Sequence, residues 1–245
     1  MNLLVDIGNK YLKWAMIEES QWDGGYGVEI SGPKIALFNR CWGHVSTPKR
    51  IIASNVLGKR VESTFNAWSK QTWGIAPIFL DTAKSICGVV NSYQEPSQLG
   101  ADRLAALIGA RSLSSGTLGV IDCGTAVTVD VLSIEDVFLG GAILPGLRLA
   151  HNSLLKNTRG ITESDLTPRP VLGRSTAACV SSGVNYGLAG GIDRLVTEIE
   201  KAVKQGLTWY VTGGDALHIQ SFLTVQAIHE PELVLKGLAV ALSQL

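Results

Sequence analysis

The sequence lacks an excess of either charge and has no long apolar run. Lys and Arg together number 21, and Asp and Glu together also number 21, so the formal net charge is zero. A protein that binds nucleic acid through its bulk charge is distinctly basic, so this balance argues against that class, although a local basic patch is compatible with it. No uninterrupted apolar run reaches the roughly 18 residues of a membrane-spanning helix. We therefore expect neither a nucleic-acid partner nor a membrane partner.

The cysteines are few and do not form a metal-binding pattern. None of the 4 cysteines lies in a CxxC, and the 4 histidines include no pair at ligand spacing. A structural zinc site is therefore not expected. No basic segment precedes an apolar run near Met1, as it would in a secretory signal, so we expect a cytoplasmic protein with free, buried thiols. The pattern GxxxxGK[ST] is also missing, which excludes a P-loop.

What the sequence does contain is enough apolar material for a sizeable core. Its 245 residues are 46% hydrophobic and 17% charged, which predicts a globular chain of one large or two small domains. Strand-like and helix-like segments alternate, so the predicted class is α/β with a mixed sheet. The predicted strands are 3–7, 11–17, 50–56, 77–80, 88–90, 119–122, 126–132, 140–144, 209–212 and 225–229. The predicted helices are 57–70, 98–113, 146–157, 175–204, one between the last two strands and one after Pro231.

The segment 157–173 is polar and contains two prolines, which predicts a loop. It is interpreted either as a mobile lid or as an ordinary surface connection, and the sequence favours neither. The helical segment after it carries Gly183, Gly187, Gly190 and Gly191, which would let another helix approach closely. That second helix would belong either to a partner subunit or to the same chain.

A short internal sequence repeat is the most informative feature. Residues 4–9 read LVDIGN, and residues 120–125 read VIDCGT. Each copy has two apolar residues, an Asp, any residue, a Gly and a polar residue, and each continues into a second strand. One such turn is common by itself, but two copies predict two similar halves with facing hairpins across a cleft. Turn N–H groups can hold an anion and the carboxylates a metal, which suits a nucleotide phosphate chain with its cation.

These residues resemble a known superfamily. The turns at Asp6 and Asp122, with Gly213 and Gly214 after a late strand, are similar to those of the actin-like ATPases, which include acetate and sugar kinases. The resemblance narrows with Tyr93 and four segments: GADR at 100–103, IDCGTAVTVD at 121–130, GGAILPGL at 140–147 and GRST at 173–176. Together they resemble type III pantothenate kinase, the family that starts coenzyme A synthesis in bacteria. The matching motifs occur in the family's order along nearly the whole chain.

The resemblance implies a fold of two actin-like, ribonuclease H-like halves. These halves would cover residues 1–115 and 116–245, each with a mixed sheet flanked by helices, with a cleft between them. It implies ATP-dependent phosphorylation of pantothenate to 4′-phosphopantothenate. A homodimer with a shared active site is also implied. Two other functions stay open: a non-catalytic regulator on the same fold, and a kinase of another small hydroxyl compound.

The resemblance also implies site residues. The implied ATP-binding residues are Asp6, Ile7, Gly8, Asn9, Lys10, Tyr11, Leu12, Lys13 and Thr125, with Gly213 and Gly214 against the adenosine. The implied pantothenate-binding residues are Tyr93, Gly100, Ala101, Asp102, Arg103 and, from the partner subunit, Thr176. Asp6 would lie near Mg²⁺, and Asp122 would bind a monovalent cation, K⁺ or NH₄⁺.

The implied chemistry fits these residue types. A primary hydroxyl is a poor nucleophile, so a carboxylate such as Asp102 would take its proton as the attack proceeds. Arg103 can pair with a carboxylate in a planar, two-pronged manner, and pantothenate carries one. The alternatives are that Asp102 and Arg103 form an ion pair on the helix surface, or that Asp102 is an N-terminal acid favoured by the helix dipole, and that Tyr93 only packs. Likewise, Asp122 could bond its own turn, and Thr176 could cap a helix.

One residue departs from the family pattern. The family usually has Thr or Ser where this chain has Lys10, so a hydroxyl contact to phosphate is lost. Lys10 either supplies a charge in its place or points to solvent. Lys13 matches the usual basic residue of the family, so the loop keeps a positive charge. The departure bears on ATP affinity and not on the fold.

Overall fold

The chain forms two compact units. The structure is a computed structural model that describes residues 1–19, 21–161, 164–168 and 170–245. The first unit contains Met1–Leu113, Asp136–Phe138 and Glu232–Leu245, and the second contains Ser114–Glu135 and Leu139–Pro231. None of the helices in these described ranges is long and apolar enough to cross a membrane.

The helices and strands alternate in the order expected for a mixed α/β fold. The strands are β1 (Asn2–Ile7), β2 (Tyr11–Glu18), β3 (Gln21–Glu29), β4 (Ile51–Asn55), β5 (Ile78–Phe79), β6 (Val90–Asn91), β7 (Leu118–Cys123), β8 (Ala126–Leu132), β9 (Val137–Pro145), β10 (Thr208–Thr212) and β11 (Ile228–His229). The helices are α1 (Lys34–Trp42), α2 (Lys59–Trp73), α3 (Ala101–Leu113), α4 (Leu147–Asn157), α5 (Thr176–Val203), α6 (Ala216–Gln220) and α7 (Leu233–Gln244), with a 3₁₀ turn at Pro96–Gln98.

The two sheets have the same strand order. The first sheet has five strands in the order β3-β2-β1-β4-β5, and the second has six in the order β6-β9-β8-β7-β10-β11, so the shared order covers five strands and β6 is an addition at the edge. In the first sheet β1 and β2 are antiparallel and β4 is parallel to β1, and β8 and β10 stand in the same relation to β7. The first two residues of β9 pair with β6 and belong to the first unit. The prediction of two similar mixed α/β halves is therefore confirmed.

Both predicted hairpins are present, but one part of the first unit was not predicted. The strands β1 and β2 are joined by Gly8–Lys10, which is the first hairpin, and β7 and β8 are joined by Gly124–Thr125, which is the second hairpin. No strand or helix was predicted for β3 and α1. The predicted strand at 88–90 forms at β6, and the one at 225–229 shortens to β11.

Each unit has its own apolar core. In the first unit Phe38 stacks on Trp42 with ring centroids 5.8 Å apart and lies 5.0 Å from Phe65. In the second unit α5 buries residues three or four positions apart, among them Val180, Val184, Leu188, Ile192 and Val196. That spacing places them on one helix face, as the sequence predicted.

Helix α7 packs on α3 and therefore belongs to the first unit. A Cβ added to Gly237 would lie 1.7 Å from the backbone oxygen of Ala105, and one added to Gly109 would lie 2.2 Å from that of Leu233. Only glycine permits so close an approach of two helix backbones. The predicted boundary between residues 115 and 116 assigned this helix to the second half, whereas the contacts group it with the first.

The predicted loop 157–173 lies partly outside the described residues, because these exclude Thr162, Glu163 and Arg169. Its described part between α4 and α5 contains no helix or strand. Side chains of α5 hold it: Ser181 Oγ donates to the Thr167 oxygen at 2.6 Å, and Ser182 Oγ donates to the Val171 oxygen at 2.8 Å. The interpretation of this loop as a lid stays a prediction.

Candidate active site

Asp102 lies in the first turn of α3. Its Oδ1 accepts a hydrogen bond from the backbone N–H of Arg103 at 2.8 Å. A Cβ added to Gly100 would lie 2.5 Å from the same oxygen, so glycine is needed for the carboxylate to fold back over the helix start. Unpaired N–H groups and the helix dipole stabilise a negative charge there. Asp102 is half-buried, so a ligand can reach it.

Arg103 and Tyr93 are brought together in the first unit. The guanidinium of Arg103 is buried, and its Nη1 donates to the Tyr93 hydroxyl at 2.9 Å. Its Cζ lies 5.8 Å from the Tyr93 ring centroid and 5.7 Å from that of Phe138. This geometry excludes a surface ion pair for Arg103, and it gives Tyr93 a polar role besides packing. The arrangement provides a fixed positive charge beside Asp102.

The first hairpin places Asp6 at the end of β1. Asp6 is 8% exposed, and Ser54 Oγ on β4 donates to its Oδ1 at 3.0 Å. Lys13 on β2 stands directly opposite Asp6 in the antiparallel register. The turn is closed by the N–H of Gly8, which donates to the Tyr11 oxygen at 3.0 Å.

The remaining residues of the first hairpin point in different directions. Ile7 and Leu12 are buried in the core of the first unit, whereas Asn9 and Tyr11 are exposed. The ammonium of Lys10 lies 3.8 Å from a Glu29 carboxylate oxygen and 5.4 Å from the Tyr11 ring centroid. Lys10 is therefore already paired on the surface of β3.

The second hairpin places Asp122 near the end of β7. Thr128 on β8 is its antiparallel partner, and Thr212 on β10 is its parallel partner. The Thr125 side chain is exposed at the turn, and its backbone oxygen accepts from the N–H of Gly146 at 3.1 Å. Gly146 immediately precedes α4, so the N-terminus of that helix lies beside the turn. A helix N-terminus attracts anions such as phosphate.

Gly213 packs against the second hairpin. Its φ is +97°, and an added Cβ would lie 2.5 Å from both Asp122 Oδ1 and the carbonyl carbon of Cys123. Only glycine accepts this conformation and this approach. The pKa of the Cys123 thiol rises to about 12 because burial disfavours its charge and the carboxylates of Asp122 and Asp215 add to the effect. Negative charge therefore accumulates around this turn, and Gly214 beside it leaves open space.

Thr176 is the first residue of α5 and is exposed. The cap of this helix is Ser175, whose Oγ accepts from the N–H of Ala178 at 3.2 Å. The alternative that Thr176 caps the helix is therefore wrong. Its hydroxyl stands at the surface, where a second molecule can contact it.

The donor atoms present fit oxygen-bound cations. Within the described ranges, no group of three or more His, Cys, Asp and Glu side chains could hold a metal ion. Mg²⁺ in phosphoryl-transfer sites takes few protein carboxylates and several phosphate and water oxygens, so a single Asp6 suits it. The Asp122 carboxylate, held against Gly213, suits a monovalent cation in the same way.

Sequence reasoning missed Phe138 and Ser54. Phe138 contributes the second ring beside Arg103, and Ser54 donates to Asp6. Both contacts join elements far apart in sequence: helix α3 with strand β9, and strand β4 with strand β1. A signal for Ser54 was available, because a polar residue inside the apolar run of β4 calls for a buried partner.

The fold is shared with sugar kinases. A glucokinase from an Antarctic psychrotroph superposes with a TM-score of 0.52 at 12% identity, covering 100% of this chain and 99% of that one. A Campylobacter jejuni protein, described as a conserved candidate activator of transcription of the Baf family, superposes with a TM-score of 0.64 at 21% identity, covering 99% and 98%. These likenesses show the fold that this chain shares with the two proteins.

Sequence comparison assigns the family within it. The profile of the family described as type III pantothenate kinase matches residues 2–198. A protein named type III pantothenate kinase from Nitrosococcus oceani is 35% identical over 252 aligned positions, which cover 98% of this chain and 92% of that protein. The chain belongs to the type III pantothenate kinase family, and its members are kinases.

Proposed function

We propose that this chain transfers the γ-phosphoryl group of ATP to the primary hydroxyl of pantothenate, giving 4′-phosphopantothenate and ADP. This is the first step of coenzyme A synthesis. The observation that carries the proposal is the Asp102 carboxylate at the start of α3, next to the Arg103–Tyr93 pair, in a chain of this family. A regulator has no use for a half-buried carboxylate held in this way.

Asp102 acts as the general base. As the pantothenate oxygen bonds to the γ-phosphorus, its proton passes to the Asp102 carboxylate, and the bond from that phosphorus to the β–γ bridging oxygen breaks. The electron pair of that bond leaves with ADP. Phosphoryl transfer depends mainly on positioning and charge neutralisation, so the fixed geometry of Gly100 and Asp102 supports it.

Arg103 and Tyr93 orient pantothenate. The guanidinium presents a positive charge to the anionic substrate, and the Tyr93 hydroxyl fixes its direction. Gly100 and Ala101 provide backbone at the helix start. Because Arg103 is buried, its attraction for a carboxylate is screened less than that of a surface arginine.

The two hairpins bind ATP and its cations. In the first hairpin, the loop at residues 6–13 would bind the phosphates through its turn N–H groups and Lys13, since the side chains of Ile7 and Leu12 lie in the core. Asp6 would hold Mg²⁺, which would neutralise charge on the phosphates. Thr125 binds the nucleotide beside the N-terminus of α4, while Gly213 and Gly214 contact the adenosine. Asp122 binds a monovalent cation, K⁺ or NH₄⁺. With ATP as donor, we expect the reaction in the cytoplasm.

We also propose that the enzyme is a homodimer in which Thr176 reaches the partner's pantothenate. One face of α5 supports this: Cβ atoms added to Gly183, Gly187 and Gly190 would meet no atom within 4 Å, and Tyr186 on that face is exposed. A Gly187→Leu variant would fill this face, and we expect it to sediment as a monomer at micromolar concentration. A wild-type monomer would contradict the dimer.

The proposed reaction is tested by coupled ADP release with ATP, Mg²⁺ and K⁺, with and without pantothenate. We expect pantothenate-dependent turnover in the wild type. Asp102→Asn has nearly the same shape but is a far weaker base, so kcat should fall by at least about 100-fold while ATP binding is retained. Asp81→Asn is the control, because Asp81 is an exposed carboxylate that also accepts a local N–H, at 3.1 Å from Ala83. Full activity of Asp102→Asn would remove it as the base, and turnover only with another hydroxyl compound would change the acceptor.

A further inference from the structure

The hydroxyl of Thr128 is buried without a hydrogen-bond partner. Its Oγ1 is shielded from solvent, and no donor or acceptor among the described residues bonds to it. A buried hydroxyl in this state destabilises the fold relative to one that has a hydrogen-bond partner. Such a group in a regular strand calls for an explanation, and a bound ion is one of the accepted explanations.

The strand register directs this hydroxyl to the Asp122 side of the second hairpin. Asp122 and Thr128 are direct cross-strand partners in the antiparallel β7–β8 pair. Side chains of such partners project from the same face of the sheet with Cβ atoms about 5 Å apart. The carboxylate itself is confined, because Asp122 Oδ1 would lie only 2.5 Å from a Cβ added to Gly213. A carboxylate and a hydroxyl oxygen therefore share one face at the end of β7.

The first hairpin shows what occupies the corresponding position in the other unit. The direct cross-strand partner of Asp6 is Lys13, a residue that carries an ammonium group. In the second hairpin the position of this lysine is taken by Thr128. The chain thus supplies its own cation opposite the first aspartate, and only a neutral oxygen opposite the second.

We propose that Thr128 Oγ1 is a protein ligand, together with the Asp122 carboxylate, of a bound monovalent cation. This inference rests on the cation site at Asp122 given under the proposed function. Carboxylate and hydroxyl oxygens suit a hard cation such as K⁺, and the ion takes up the lone pairs of Thr128 Oγ1, which no described residue uses. The ammonium of Lys13 in the first hairpin is the chain's own equivalent of that ion.

The test is thermal unfolding of the full-length protein without ATP, titrated with KCl against choline chloride at constant ionic strength. A cation that binds only the folded state raises Tm as its concentration rises. We expect K⁺ to raise the Tm of the wild type. In Thr128→Val the apparent K⁺ affinity should fall by at least about tenfold, which is about 1.4 kcal/mol, while Tm in choline stays equal or rises.

Two further variants keep the test decisive. Thr128→Ser retains the hydroxyl and should retain the K⁺ response, even if Thr128→Val folds poorly. Thr117→Val is the control for a merely structural threonine, since its Oγ1 bonds Gln205 at 2.9 Å, and it should lower Tm equally in both salts.

A full K⁺ response in Thr128→Val would overturn the inference while leaving Asp122 as a ligand. A wild type without any K⁺ response would overturn both the inference and the cation site. Neither result touches phosphoryl transfer, which the ADP-release assay decides separately.

Discussion

The two hairpins share a frame but differ in what faces their aspartates. Asp6 and Asp122 each end the first strand of a sheet with the same strand order, next to a parallel strand that carries a hydroxyl residue. Opposite Asp6 stands Lys13, and opposite Asp122 stands Thr128. One fold motif thus serves two electrostatic arrangements.

The two turns also differ, both in length and in the groups that they place near the aspartates. In the first hairpin the turn is three residues long and is followed, after β3, by a loop before α1. In the second hairpin the turn is two residues long, and Gly146 joins it directly to the N-terminus of α4. The first turn brings lysines and the second brings helix N–H groups. The two hairpins therefore repeat a backbone geometry without repeating its chemistry, because a single cross-strand residue sets the charge opposite each aspartate.

The largest expected effect comes from Gly213, which follows the strand position opposite Asp122. Gly213→Ala forces an unfavourable φ and a contact with the Cys123 backbone, so we expect the free energy of unfolding to fall by about 3 kcal/mol. Asn55 holds the corresponding place beside the first hairpin and bonds only the N–H of Leu57 and the oxygen of Gly58. Asn55→Ala should therefore lose only about 1 kcal/mol. Urea denaturation measures both, and equal losses would contradict the asymmetry.

Substitution of the two aspartates should affect activity and its salt dependence differently. Asp6→Asn weakens the proposed Mg²⁺ contact, so we expect kcat/KM to fall by about 100-fold, or about 2.7 kcal/mol, in every salt. Asp122→Asn should remove only the advantage of K⁺ over Na⁺. ADP release in both salts separates the two patterns. Asp81→Asn serves again as the surface control, and an equal salt dependence of both site variants would show that the hairpins are interchangeable.

A substitution at Thr128 can make the second hairpin resemble the first. Thr128→Lys places a tethered ammonium opposite Asp122, so activity in choline should come within about threefold of that in K⁺, a difference under about 0.7 kcal/mol. Thr128→Gln, with a long but neutral side chain, is the control and should not gain this independence. If both variants respond to K⁺ as the wild type does, the charge opposite Asp122 does not matter.

An effect confined to alkaline pH concerns Cys123, which holds the position of Ile7. Its pKa of about 12 keeps the thiol neutral in the folded state, while the unfolded chain ionises from its ordinary value of 9.0. Stability is therefore complete below about pH 9 and is lost as the pH rises towards 12. Between about pH 7 and pH 10, the wild type should lose about 1.4 kcal/mol more than Cys123→Val in urea denaturation. Equal losses would mean that this thiol does not titrate in the unfolded chain either.

The hairpins could be predicted from sequence because each is local. The echo of LVDIGN in VIDCGT lies in short apolar strands around a glycine turn, and those signals need no distant contact. Strand β3 was missed since its residues are mostly exposed and include Gly24, Gly25 and Gly27, so no apolar alternation marks it. Its place is fixed by pairing with β2, which sequence patterns do not report.

The site residues also divide into those found from local motifs and those whose contacts depend on packing. Asp102 and Arg103 stand in a motif that resemblance identified, whereas the stacking of Arg103 on Phe138 joins residues far apart in sequence. Thr128 was harder to find, because Lys13 lies seven residues after Asp6 whereas Thr128 lies six residues after Asp122. Aligning the two sequences on their aspartates therefore places Val129 at the position of Lys13, and only the shorter second turn brings Thr128 opposite Asp122. The lack of a hydrogen-bond partner at Thr128 Oγ1 is a property of the packed structure alone.

The contact of α7 with α3 has a consequence for synthesis on the ribosome. The first unit begins at Met1 but is closed by Glu232–Leu245, whereas the second unit is nearly continuous between Ser114 and Pro231. The second unit can therefore complete its contacts while the first still waits for α7 to emerge from the exit tunnel. Helix α3, which carries Asp102, stays partly uncovered until then, so Asp102 reaches its final surroundings only after residues 232–245 have been synthesised.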